Sequence, residues 1–180
     1  MNEYFIKFIK ESLESVEQKY YSIPIAHHNK EIIRERMFCY EFYHQMRLKQ
    51  KPNSPIQIHG EIDKNGYPKE YNLKRRNPDF IFHQSGNQEK NMVIMEVKGR
   101  IHGPAIKKDF ETITHFLNKD GLNYRIGVFV LFNHSQKDLT TSLRSTNLEN
   151  GYCEYAERIW IITAPCHEKI EDPIRLSELL

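Results

Sequence analysis

Along the first part of the chain, apolar side chains recur at helical intervals. Phe5, Ile9, Leu13, Val16 and Tyr20 lie three or four positions apart, which predicts an amphipathic helix. Ser22-Ile23-Pro24 ends it, because the residue before a proline is pushed out of the helical region. A second helix is predicted from about Lys30 to Lys49, with Ile33, Met37, Tyr40, His44 and Leu48 along one stripe. Pro52-Asn53-Ser54-Pro55 then breaks the chain, and three strand-like runs follow: Ile56 to Ile62, Asp79 to His83, and Met92 to Lys98. A polar stretch, 63–77, separates the first two, and the hairpin signal Gln84-Ser85-Gly86-Asn87 separates the last two. After Gly103-Pro104, the positions of Ile106, Phe110, Ile113 and Leu117 predict a third helix, stopped at Asp120-Gly121. Arg125 to Phe132 (RIGVFVLF) is almost continuously apolar over a strand's length and predicts a buried strand. A helix over Lys137–Asn147 and a strand over Arg158–Thr163 complete the pattern.

The core order of helix, three strands, helix, strand predicts an α/β fold with a mixed central sheet flanked by helices. At 180 residues the expectation is one domain over 1–180, with an N-terminal helix in 1–28, the core in 29–133 and a C-terminal extension in 134–180. The charge balance is 26 Lys+Arg against 24 Asp+Glu, a net +2, so any attraction to a polyanion has to come from local patches. Three cysteines (Cys39, Cys153, Cys166) at unrelated spacings argue against a disulfide framework and for a reducing, cytoplasmic setting. Lys7, Lys10 and Glu11 interrupt the first apolar stretch, which reads as neither a signal peptide nor a membrane span. Nine histidines come without C-x-x-C or H-E-x-x-H, so no zinc signature accompanies them; His59, His83 and His102 are read as satisfied or surface residues. The absence of P-loop, G-x-G-x-x-G and G-x-S-x-G patterns removes NTPase, dinucleotide and serine-hydrolase readings.

The chemistry concentrates in Asn77-Pro78-Asp79-Phe80 and in Val93-Ile94-Met95-Glu96-Val97-Lys98-Gly99. Strand side chains alternate, so Glu96 and Lys98 emerge on one face while Val97 points to the other. Pairing the two runs as a hairpin sets Asp79, at the start of one strand, beside Glu96, at the end of the next. Two adjacent carboxylates raise each other's pKa, and a hard divalent cation relieves the repulsion. Mg²⁺ suits such a site, since it takes one or two carboxylates together with waters and phosphate oxygens. A neighbouring lysine can orient the attacking water.

Pro78-Asp79 followed by Glu96-Val97-Lys98 resembles the PD-(D/E)XK, or restriction-endonuclease-like, nuclease superfamily, in motif and in the element order from about Lys30 to Phe132. The resemblance implies a restriction-endonuclease-like core and a Mg²⁺-dependent nuclease, with Mn²⁺ as substitute, hydrolysing phosphodiester bonds in DNA by endonuclease action. It implies Asp79, Glu96 and the backbone carbonyl of Val97 as metal ligands and Lys98 as the water-positioning residue. It also implies a further acid, either on the first core helix or on the first strand. Glu41, on the edge of the predicted stripe, matches the helix position, whereas the spacing of Glu35 points it away from that stripe. Glu61, on the polar strand face Gln57-His59-Glu61-Asp63, matches the strand position.

Lys74, Arg75 and Arg76 precede Asp79 where a phosphate backbone would pass, and Arg100 follows Lys98, so these are the candidate nucleic-acid contacts. No membrane partner is expected; a homodimer or a separate targeting protein stays open. The rival reading keeps the fold as a catalytically inactive module that binds nucleic acid or protein.

Overall fold

Two periodicities, two for strands and 3.6 for helices, decide the layers. The computed structural model describes residues 2–27, 29–61, 76–145 and 152–180. Helix α1 (Asn2–Leu13) is followed by the two-residue strands β1 (Ile23–Pro24) and β2 (Glu31–Ile32), which pair with each other, and by helix α2 (Glu35–Lys49). Strands β3 (Gln57–Gly60), β4 (Phe80–Gln84) and β5 (Asn87–Lys98) lead into helix α3 (Gly103–Leu117). Strand β6 (Ile126–Phe132), helix α4 (Gln136–Ser145), strands β7 (Ile159–Ala164) and β8 (Ile174–Arg175) and the single turn α5 (Leu176–Leu179) complete the order.

Strands β3 to β8 form one six-stranded sheet in sequence order. Its centre, β5-β6-β7, is parallel, while β3-β4-β5 and β7-β8 are antiparallel. The fold is therefore α/β with a mixed sheet flanked by helices. Gly86, at φ +78°, supplies the left-handed residue of the two-residue turn between β4 and β5.

Each sheet face carries its own core. Val93, Met95, Val97, Val128, Val130 and Phe132 meet α1 and α2 through Ile9, Leu13, Phe38, Phe42 and Met46. The opposite face, with Ile81, Ile94, Phe129, Leu131 and Ile161, meets α3 and α4 through Ile106, Phe110, Ile113, Leu139 and Leu143. Gly127 in β6 lets α3 lie close, since a Cβ there would stand 2.3 Å from Ile113 Cγ2.

The second helix is present but turned relative to its expected face. Met37, Tyr40 and Leu48 of the predicted stripe are exposed, and the buried line is Phe38, Phe42 and Met46. Two phenyl rings bury more apolar area than a line containing His44, and Phe38 stacks on Phe132 with centroids 3.8 Å apart. The helix also begins later, at Glu35, after the short β1–β2 ladder. This rotation carries through to the site.

Candidate active site

Asp79 and Glu96 come together because β4 and β5 are antiparallel with Phe80 opposite Met95. Pairing stops there, so the Val97 N–H projects past its partner strand and donates to Asp79 Oδ2 at 2.7 Å. Glu96 lies at the carboxyl end of a parallel strand, where α/β sheets place ligands. Only 5% of it is exposed, and its side chain shares a hydrogen bond with Asp79. Burial, then the charges of Asp79 and Asp109, push the Glu96 carboxyl well above the usual carboxylate range. Burial also raises Asp79, against the Val97 N–H and the Lys98 charge, which favour its ionised form. Burial thus disfavours the doubly ionised pair, more strongly at Glu96 than at Asp79.

Lys98 emerges on the same face as Glu96, toward α3. Its Nζ lies 3.2 Å from Asp109 Oδ2 and donates to Glu35 Oε2 at 3.3 Å. Burial alone would lower this ammonium, but Asp109, Glu35 and Asp79 together hold it above its ordinary value. Lys98 is thus a fixed cation among four carboxyl groups. Burial raises Asp109 to about 6 even with Lys98 beside it.

Sequence reasoning missed Asp109, although a signal for it exists: an acid set among Ile106, Phe110 and Ile113 on the inner face of α3. Glu35 replaces Glu41 as the helix acid that reaches this cluster. Successive helical residues are about 100° apart, so Glu35 falls in the same sector as Phe38, Phe42 and Met46, while Glu41 lies about 100° from its centre. The Glu41 carboxylate instead accepts a hydrogen bond from Gln45 Nε2 at 2.6 Å.

Glu61 follows β3 at φ +46°, its N–H donating to the Asp79 carbonyl at 3.0 Å and its carboxylate 3.4 Å from Arg36 Nε. With Asp79 it lines a cleft of about 460 Å³ between α2 and the β3–β4 edge. His59 Nδ1 and His83 Nε2 hydrogen-bond each other at 2.9 Å. Arg100 is exposed just beyond Lys98. Arg76 lines a depression against the outer part of α3, with Glu111 and His115. Lys74 and Arg75 lie outside the described residues.

No family model, curated protein or solved structure matches the chain. The family resemblance accordingly rests on the motif residues and element order of the sequence. Among the described residues no three His, Cys, Asp or Glu side chains form a metal-binding group, and no helix is long and apolar enough to cross a membrane. Two adjacent carboxyls, Glu96 buried and Asp79 half-buried, nevertheless fit a hard cation such as Mg²⁺, which needs only one or two carboxylates and completes its octahedron with water and phosphate oxygens. The raised Glu96 carboxyl fits as well, since a cation would offset the burial and the neighbouring charges that raise it.

Proposed function

We propose that this chain is a divalent-cation-dependent nuclease with a restriction-endonuclease-like core, hydrolysing phosphodiester bonds in DNA in a reducing, cytoplasmic setting. The observation that carries the reading is the Asp79–Glu96 pair at adjoining strand ends, Glu96 buried and Asp79 half-buried, with Lys98 on the same face. Asp79, Glu96 and the Val97 carbonyl are the residues that would hold Mg²⁺ or Mn²⁺. The bound cation supplies Lewis-acid polarisation of the phosphate and a more acidic water.

The chain's own groups have separable tasks. Asp79 is positioned by the Val97 N–H and cannot swing away without leaving that donor unpaired. Lys98 keeps its proton at neutral pH, so it acts as a charged donor that orients water or a phosphate oxygen, and not as a base. Asp109 and Glu35 aim the ammonium and are positioning residues.

One observation favours the non-catalytic alternative: Lys98 is already engaged by two acids. Plasmid and single-stranded DNA incubated with Mg²⁺, Mn²⁺ or chelator separates the two readings. Cation-dependent cleavage is expected, falling at least ~10²-fold in Asp79→Ala, Glu96→Ala and Lys98→Ala, the scale of one lost electrostatic contact. Binding without cleavage in the wild type, or cleavage that survives Asp79→Ala, overturns the nuclease reading.

A further inference from the structure

The cleft that opens on Asp79 is lined by aromatic rings rather than by cations. Tyr40, Tyr43, His59 and Phe80 share its walls with Glu61 and Asp79. Tyr43 is held rigid: its ring is parallel to that of Phe80 within 6°, at 6.0 Å between centroids, and its hydroxyl donates to the Ile58 carbonyl at 3.2 Å. Tyr40, one turn earlier on the same helix, is 62% exposed, so its ring gains little from the protein's own core. The volume of about 460 Å³ lies within the range of small-molecule sites.

Charge selects what such a cleft can take. Glu61, at the rim, can accept hydrogen bonds from the exocyclic amino groups of bases, while Asp79 is left to the cation. Outside the rim, Arg36, with 71% of its side chain exposed, is placed to meet the backbone. Glu61 adopts the left-handed conformation to reach the rim, a conformation that costs free energy in a residue with a side chain. Flat aromatic surfaces that stack successive bases without reading their sequence are how proteins hold unpaired strands.

We infer that this cleft receives an unpaired nucleobase of a DNA strand, stacked on Tyr40 beside Asp79, so that the substrate has a single-stranded or splayed segment next to the cleaved bond. The inference rests on the nuclease reading and names its substrate class. It places Tyr40 and Tyr43 as substrate-binding residues, in a position where a continuous duplex offers no free base face.

The test uses the full chain in Ca²⁺ and two DNA hairpins, one blunt and one with a short overhang, each carrying 2-aminopurine at the end. The wild type should bind the overhang more tightly and quench its fluorescence. Tyr40→Ala should weaken overhang binding about 5- to 150-fold, the range for losing one stacked base, and so remove the preference for the overhang over the blunt end. Tyr40→Trp should retain both affinity and quenching. Because Tyr40 is exposed, a matched melting temperature will show that the alanine variant is folded. An overhang preference that is absent in the wild type, or that survives Tyr40→Ala, overturns the inference; Mg²⁺-dependent cleavage of the blunt duplex would leave the nuclease reading intact in that case. A wild type that neither binds nor cleaves any DNA overturns both.

Discussion

Asp109 offers a thermodynamic handle on the site that needs no substrate. Its carboxyl stands at about 6 in the folded protein, raised from 3.8 by burial. The folded state therefore holds this proton more tightly than the unfolded chain, and stability falls as pH rises, from just below 4 until the loss is complete a little above 6. Between pH 5 and pH 7.5 only the unit from 5 to 6 counts, about 1.4 kcal/mol at 1.36 kcal/mol per unit. Asp109→Asn keeps the shape and removes the titration. It also relieves Glu96 of one of the charges that raise it, a change that acts in the same direction. The stability lost between pH 5 and pH 7.5 should thus be smaller in the variant by at least about 1.4 kcal/mol. Lys98, raised in pKa, stays protonated in both proteins across this window, and the histidines are common to both, so the comparison isolates the site. Urea denaturation in chelator at the two pH values measures the difference; thermal melts should show it as roughly 3–6 °C for a chain of this size. Parallel pH curves for the two proteins would refute the reasoning, because they would mean that Asp109 does not ionise against a desolvated surrounding.

Two other outcomes follow from the packing. Glu35→Gln should slow cleavage roughly 10-fold or more at saturating Mg²⁺, as loss of a partner that orients a catalytic group does, while Glu41→Gln leaves it unchanged; initial rates giving the reverse would return the helix acid to Glu41. Gly127→Ala should destabilise the protein by about 1–3 kcal/mol in chemical denaturation, because the new methyl meets Ile113 at 2.3 Å and forces α3, with Asp109 one turn away, off the sheet; an unchanged midpoint would show that the helix does not lie as close as described.

The acid pair was legible in the sequence because strand alternation is rigid. Once Phe80 to His83 and Met92 to Val97 are read as one hairpin, the facing of Asp79 and Glu96 follows from a period of two. The helix acid was not legible, since α2 carries two competing apolar lines. Which line turns inward depends on Phe132 and Tyr21, whose rings pack against Phe38 from distant parts of the chain. A rotation of about 160° between the expected and the buried face exchanged Glu41 for Glu35. The short strands β1, β2 and β8 left no periodic trace, because two residues are too few to alternate.

The hairpin's tight turn has a consequence for how the molecule assembles. The contact between Asp79 and Val97 spans 18 positions, whereas the one between Lys98 and Glu35 spans 63. Loop closure is cheaper for the first, and contacts close in sequence speed folding, so the two acids can meet in a local strand–turn–strand unit before α2 docks from afar. Like charges are then brought face to face at a stage when solvent still screens them. Desolvation of the sheet face that carries Glu96 comes from α3, the next element in the chain, whose Asp109 meets Lys98, while α2 covers the other face and adds Glu35 at the end of the sheet. The energetic cost of assembling the acidic pair thereby falls on the docking of α3 and not on the hairpin itself.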